Sequence, residues 1–230
     1  MRRMRFNIGL KLDQDTESKQ PIFAAMKELR DLNGKRIAVY CASSAKASPE
    51  FMRGAEVVAK DIVASGASLV YGGGKTGLMG HVADHVMAAG GFVRGVMPGF
   101  LFENEVNHPG ISELIQVENM RERKHMLMHD TEGIIALPGG TGTLEELLEA
   151  LTLKRLGQYL KPVVIVNQDG FWDRLIALMD QMVAHELMRP EHLEVYTVVD
   201  RPEDAVRAIA ETPDIPEDIL SRATFKSKQG

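Results

Sequence analysis

Glycines, hydroxyls and a carboxylate stand together in Pro138-Gly139-Gly140-Thr141-Gly142-Thr143-Leu144-Glu145-Glu146. An apolar run, Gly133-Ile134-Ile135-Ala136-Leu137, precedes them, and an amphipathic stretch from Leu144 to Leu156 follows. The order is buried strand, glycine-rich turn, helix. The first backbone N–H groups of a helix lack internal partners, and the helix dipole adds partial positive charge there. Glycines let a phosphate approach that backbone closely. Glu146 then sets a carboxylate one turn inside the helix. Phosphate cradle plus carboxylate points to chemistry on a phosphorylated small molecule. A structural reading competes: Thr143 followed by Glu146 is itself a capping box, with Thr143 as N-cap. Capping alone requires neither Pro138 nor the three glycines.

A second element adds cations. Asn119 is a good N-cap with Glu122 three residues on, a capping-box spacing. Arg123 and Lys124 then fall in the first turn, where positive charge opposes the helix dipole. Stability does not favour that placement, so it points to a ligand. Arg123 beside Glu146 would keep the carboxylate ionised.

The loop Gly72-Gly73-Gly74-Lys75-Thr76-Gly77 matches G-x-G-x-x-G. A dinucleotide site also wants an acid near the end of the next strand, and Phe92–Met97 offers Arg94 and then Pro98. A Walker A reading of Lys75-Thr76 needs glycine where Leu69 stands. Both nucleotide motifs fail on a named residue, leaving a cleft-lining loop or a tight packing turn. The pairs His81/His85 and His125/His129 have helical spacing but no H-E-x-x-H form and no evident third ligand. They read as surface or satisfied histidines. No G-x-S-x-G nucleophile elbow occurs, and Ser43 or Ser44 reads as a ribose or backbone partner. Glu145 and Glu149 read as solvated helix charges. No metal or organic cofactor is required by any of these groups.

These residues need a scaffold. Apolar strand runs occur at Arg36–Cys41, Ser68–Tyr71, Phe92–Met97, Leu114–Val117, Gly133–Leu137, Val163–Asn167 and Tyr196–Val199. Helical stretches are Pro49–Ser65, Leu78–Ala89, Met120–Asp130, Leu144–Leu156, Gly170–Glu186 and Pro202–Glu211. Continuous apolar strands alternating with helices predict an α/β fold: one doubly wound, Rossmann-like domain on a mostly parallel sheet. Ligands bind such sheets at the carboxyl ends of the strands, where the glycine loops lie. Gly99–Ser112 lacks a helical period and reads as an active-site loop or short helix. The expected organisation is an extension over 1–34 with a short helix at Pro21–Leu32, the domain over 35–212, and a tail over 213–230. At 230 residues this is one domain plus extensions. A net charge of −5 gives no nucleic-acid or membrane footprint. Cys41 is the only cysteine, so neither an intrachain disulfide nor a cysteine zinc site forms, and it reads as a small buried hydrophobe. No apolar run is long enough to span a bilayer, and no secretory h-region follows the basic start. The cytoplasm is the expected compartment.

The signature P-G-G-x-G-T-x-x-E resembles that of the LOG (Lonely Guy) family, the cytokinin riboside 5′-monophosphate phosphoribohydrolases. The resemblance runs from about Arg36 to about Asp200. It includes Val39-Tyr40-Cys41-Ala42-Ser43-Ser44, Tyr71-Gly72-Gly73-Gly74 through Gly77-Leu78-Met79-Gly80, and Met120-Arg121-Glu122-Arg123-Lys124. It implies hydrolysis of the N-glycosidic bond of an adenosine 5′-monophosphate, N6-substituted or plain, to free base and ribose 5-phosphate. It implies that Arg123 and Glu146 are catalytic and that Lys124, Glu105 and Thr152 contact substrate. Gly139, Gly140, Thr141, Gly142 and Thr143 would hold the phosphate, and the loop after Tyr71 would line the cleft. The family usually reads M-H-E-R-K, so Arg121 in place of His adds a charge beside the site. A homodimer or higher homo-oligomer is implied, with the Leu144–Leu156 helix as one contributor. Alternatives are an AMP nucleosidase, a non-catalytic nucleotide or cofactor carrier of the same fold, and a pyridoxal phosphate-dependent lysine decarboxylase. For the last, the sequence offers no recognisable cofactor lysine.

Overall fold

The computed structural model describes residues 29–102 and 107–215. Seven strands form one wholly parallel sheet: β1 (Arg36–Tyr40), β2 (Ser68–Tyr71), β3 (Val93–Pro98), β4 (Glu113–Val117), β5 (Gly133–Ala136), β6 (Val163–Val166) and β7 (Thr197–Val199). Their order across the sheet is β4-β3-β2-β1-β5-β6-β7. The chain winds outward from β1 to β4, returns beside β1 as β5, and winds outward the other way. The reversal lies between β1 and β5, so the ligand crevice of such a sheet opens above Tyr40 and Ala136.

Both faces of the sheet are covered, which is why the strands read as unbroken apolar runs. Ile37 and Val39 point to one face and pack with α1 (Pro49–Ala64), α2 (Gly77–Ala88) and α7 (Ala205–Glu211). Ala38 and Tyr40 point to the other and pack with α4 (Met120–Met128), α5 (Thr141–Arg155) and α6 (Asp173–Ala184). The edge strand β4 departs from the rule: only Val117 in it is buried.

Boundaries moved where a local interaction overrode periodicity. The stretch expected as one helix from Gly170 begins instead as a 3-10 turn, Gln168–Gly170, followed by α6. Gly170 has φ +73, which no α-helix accepts. Asn167 holds the junction, accepting from the Trp172 N–H at 2.7 Å and donating to Asp173 at 2.8 Å. Pro202–Asp204 is likewise a 3-10 turn leading into α7. Gly99–Phe102 forms a short helix, α3. Most of the expected Pro21–Leu32 helix lies outside the described residues, and its last four residues are not helical. Among the described residues no helix is long and apolar enough to cross a membrane.

Candidate active site

Three loops meet at the carboxyl end of the sheet. The β1–α1 loop is tied to the β5–α5 loop by the Ala42 N–H, which donates to Pro138 O at 3.2 Å. The β2–α2 loop is tied to the first by Thr76 Oγ1 donating to Ser43 O at 3.0 Å and by Met79 N–H donating to Ala42 O at 3.2 Å. Gly77, at φ +63, sits where a Cβ would strike the Ser43 and Ser44 backbone, so glycine is required there.

The helix above β5 starts earlier than periodicity suggests. Gly140 is the N-cap and Thr141 the first helical residue. Thr143 is therefore inside the first turn and caps nothing, and the expected Thr143–Glu146 capping box does not form. Gly142 hid this start, because glycine is a poor helix former. Gly139 makes room for the buried Thr143 side chain, which a Cβ would overlap. Gly140 and Gly142 have neither that constraint nor positive φ: a Cβ on either would meet nothing within 4 Å. Their missing side chains leave open space over the helix N-terminus, the part of a helix that favours anions.

Arg123 enters from α4, whose N-cap Asn119 accepts from the N–H groups of Arg121 and Glu122 at 3.0 Å each. Glu122 reaches back to the Glu118 N–H at 2.8 Å, one residue beyond the usual capping box. The Arg123 side chain turns inward and is buried. Its Nε donates to Val96 O at 3.2 Å and its Nη1 to Glu146 Oε1 at 2.7 Å. A Cβ on Gly72 would collide with Nη2, so the first glycine of the triple-glycine loop exists to admit the guanidinium. Sequence motifs placed Gly72 at a cleft without disclosing that partner.

Glu146 is nearly buried, 12% exposed, beside the ends of β1 and β5. Burial pushes its carboxyl above the ordinary carboxylate range, and Arg123 offsets this only in part. Desolvation outweighs the nearby positive charge, while Arg123 acts in the expected direction by favouring the ionised form. The Glu146 charge also reaches Tyr40 and Cys41, raising both, although burial is the larger cause in each. Cys41 is buried as expected, and its thiol is far from ionising.

Lys124 behaves otherwise. Its ammonium is gripped by Glu145 at 2.7 Å and Glu149 at 2.8 Å, which together raise its pKa. Those two glutamates are thus ion-pair partners from α5, not merely solvated charges. Thr152 is exposed and donates to Leu148 O of its own helix at 2.8 Å. By the helical rise of about 1.5 Å per residue it lies roughly 9 Å along α5 from Glu146, and its side-chain hydrogen bond is to its own helix and not to the other site residues. Glu105 lies outside the described residues. The pair His81/His85 gains a third neighbour that the sequence concealed, Glu56 of α1.

A cleft of about 790 Å³ lies at the opposite, amino end of the sheet, lined in part by Arg36, Asp130, Glu132, Tyr159 and Lys161. Its size would make it a default ligand site. The open glycines and the Arg123–Glu146 pair lie elsewhere, and parallel sheets bind at their carboxyl ends. The chemistry is assigned to that end.

Residues 79–209 match the family described as "Possible lysine decarboxylase". A probable cytokinin riboside 5′-monophosphate phosphoribohydrolase of Oryza sativa subsp. japonica, LOGL9, is 39% identical over 173 residues, 72% of this chain and 76% of the relative. The rice enzyme LOG is 42% identical over 150 residues, 65% of this chain and 62% of the relative. LOG5 of Arabidopsis thaliana is 33% identical over 84% of each chain. Among solved structures, the molybdenum cofactor carrier protein of Chlamydomonas reinhardtii superposes with a TM-score of 0.59 at 21% identity, covering 82% of this chain and 99% of that one. The molybdenum cofactor binding protein of Rippkaea orientalis gives 0.58 at 22%, over 77% and 96%. At these identities the two structures establish the shared fold.

Proposed function

We infer that this chain, which belongs to the LOG (Lonely Guy) family of cytokinin riboside 5′-monophosphate phosphoribohydrolases, hydrolyses the N-glycosidic bond of nucleoside 5′-monophosphates and releases free cytokinin base and ribose 5-phosphate. The observation that carries the mechanism is the 2.7 Å Arg123–Glu146 pair beside an open glycine cradle. Glycosidic cleavage passes through an oxocarbenium-like sugar. A carboxylate at Glu146 stabilises that charge and orients or deprotonates the attacking water. Its raised pKa makes it a stronger base than an exposed carboxylate. Arg123 fixes the carboxylate and offsets part of the cost of its burial. The N–H groups of Gly140 to Thr143, with Gly139 shaping the turn, hold the 5′-phosphate, and that remote binding energy positions the sugar. Lys124, anchored by Glu145 and Glu149, adds positive charge for the nucleotide. Glu105 is the remaining substrate contact that the family resemblance implies.

The catalytic unit spans 35–212, with 1–34 and 213–230 as extensions, in the cytoplasm. A homodimer fits the exposed Leu148, Thr152 and Leu156 along one side of α5. In this reading Thr152 meets substrate through a second copy, and light scattering reporting a monomer at assay concentrations removes it from the site.

The label of lysine decarboxylase implies pyridoxal phosphate, which needs an amine able to lose its proton beside the phosphate cradle. Lys124 does not fit: two carboxylates hold it protonated. A panel of nucleotides scored by base release tests the function. Cytokinin riboside monophosphates and AMP should be turned over, in a ratio that sets the base preference, and the corresponding ribosides poorly. Equal turnover of riboside and ribotide defeats the phosphate anchor, and binding without turnover makes the chain a carrier. Hydrolysis should persist in excess EDTA, and loss restored by zinc or magnesium would refute the mechanism.

A further inference from the structure

On the surface formed by α1 and α2, three lone-pair donors come together. His81 and His85 lie one turn apart on α2, with ring centroids 4.4 Å apart and edge to face. Glu56 faces them from α1, with Oε2 3.9 Å from His85 Nε2. One donor atom from each residue lies within 4.8 Å of the others. Among the described residues, no other three His, Cys, Asp or Glu side chains gather so closely.

We propose that Glu56, His81 and His85 form a binding site for a divalent transition metal of the zinc class, clamping α1 to α2. Residues four apart on a helix share one face, so both imidazoles can turn to a common point. Donors around a tetrahedral ion stand about 3.4 Å apart at bond lengths of ~2.1 Å, so side-chain adjustments of about 1 Å complete the site. Two imidazoles and one carboxylate suit zinc, copper or nickel, whereas magnesium and calcium prefer oxygen sets. Lys60 lowers the Glu56 carboxyl, and burial and His85 lower His81, both in the direction of the unprotonated forms that ligate. Lys60 already lies 2.7 Å from Glu56 Oε1. Its charge weakens the site, although an exposed lysine can swing aside. Three protein ligands leave a fourth position for water.

The clamp would join the helices that follow two of the cleft loops, since α1 follows Ser44 and α2 begins at Gly77. It touches neither Arg123 nor Glu146, so it adds rigidity and leaves the reaction unchanged. The pair His125/His129 is an internal control at the same spacing. Its rings are 5.4 Å apart and His129 Nδ1 faces its neighbour Asp130 at 3.1 Å, with no third ligand gathered.

The test uses untagged full-length protein, stripped with EDTA and exchanged into chelator-free buffer. Zn²⁺ is titrated by calorimetry, and Co²⁺ by its visible absorption. The expected result is one Zn²⁺ per chain and a tetrahedral Co²⁺ spectrum. At about a hundredfold excess over Kd, the melting temperature should rise by several degrees. His81→Ala with His85→Ala should abolish binding, Glu56→Gln should weaken it at least about tenfold, and His125→Ala with His129→Ala should keep it. All these variants should melt like the parent without metal and hydrolyse nucleotide at its rate. Zn²⁺ binding that survives loss of His81 and His85, that disappears with His125 and His129, or that is absent from the parent overturns the proposal.

Discussion

The two ends of the sheet both hold carboxylates facing guanidinium groups, Glu146 12% exposed at one and Glu132 19% and Asp214 43% exposed at the other, and they settle the charge in opposite ways. At the amino end, Glu132 is met by Arg30 at 2.8 Å and Lys161 at 3.1 Å, and Asp214 by the same two cations. Burial pushes both acids up, but the paired cations outweigh it and hold both below the ordinary range. At the carboxyl end Glu146 has Arg123 alone as a hydrogen-bonded cation, and burial wins. The first arrangement is closed on itself, and its charges spend their interactions on one another. The second leaves a carboxylate under-compensated beside open glycines. A perturbed acid in such a place is a mark of function, and a satisfied network is a mark of stability. A cleft of about 790 Å³ lies at the satisfied end, so a cavity alone does not mark the chemistry here.

The comparison breaks first at Glu146. Glu146→Gln keeps an oxygen to accept from Arg123 and removes the negative charge. It should fold, bind nucleotide and lose roughly a hundredfold or more in rate. Because the Glu146 carboxyl lies above the ordinary range and must be ionised to act, the acid limb of kcat/KM should lie above that range too. Arg123→Ala takes away the offsetting charge, so the limb of the residual activity should move to still higher pH. A parent limb at an ordinary carboxylate pH, or a Gln variant with most of its rate, makes the carboxylate structural.

The amino end should answer with stability and not with rate. Arg30→Ala should cost about 1–3 kcal/mol, between an exposed and a buried pair, with kcat/KM nearly unchanged. The sign follows from the lowered acids. Their contribution is complete above the unfolded carboxylate values and disappears as pH falls through the folded ones. Parent and Arg30→Ala melting curves should therefore converge in acid. A loss of activity with intact melting would place Arg30 in the site.

Gly142→Ala sharpens the contrast at a single methyl. Nothing in the fold occupies that space, and alanine is the better helix former by about 1 kcal/mol. Melting should hold or rise, while KM for the monophosphate rises about tenfold, the cost of about 1.4 kcal/mol of lost phosphate contact. A Gly142→Ala enzyme with the parent KM removes the cradle.

Much of this was legible in the chain. Six of the seven strands are almost fully buried on both faces, and such strands must be written as apolar runs, so Ser68–Tyr71 could be bounded to the residue. The glycine turn and the Arg123-Lys124 pair were legible as motifs because glycines and cations at helix starts are not what helix propensity or the dipole favours. Partners distant in sequence were not. Nothing in Gly72 announces Arg123, nothing in His81 announces Glu56, and Arg30 falls before the expected domain boundary although it binds Glu132. The helix start at Thr141 was misplaced because Gly142, a poor helix former, stands in its first turn.

Lys154 is the faintest difference and tests the amino end most finely. By sequence it is a basic residue in the last turn of α5, an ordinary place for a solvated lysine. The structure buries it almost completely, with Nζ donating to the carbonyls of Lys161 and Leu160. Burial pushes its amine from 10.5 down to about 7. Between those values the unfolded chain binds a proton that the folded chain does not, so this group makes stability rise with pH across that window. Lys154→Met has no proton to bind and loses the slope. Melting temperatures of the two proteins, measured from pH 7 to pH 10, should show a difference that moves steadily in favour of the parent. At pH 7 the variant is relieved of a buried charge, and toward pH 10 it lacks two hydrogen bonds that the parent's neutral amine keeps. The expected swing is roughly 3–4 kcal/mol over this window, on the order of 10 °C for a chain of this size. Arg30, Asp214 and Lys161 face the same pocket, but their shifts lie outside the window and cancel in the difference. A difference that stays flat from pH 7 to 10 means the amine titrates in solvent, and the amino end is then less closed than its ion pairs suggest.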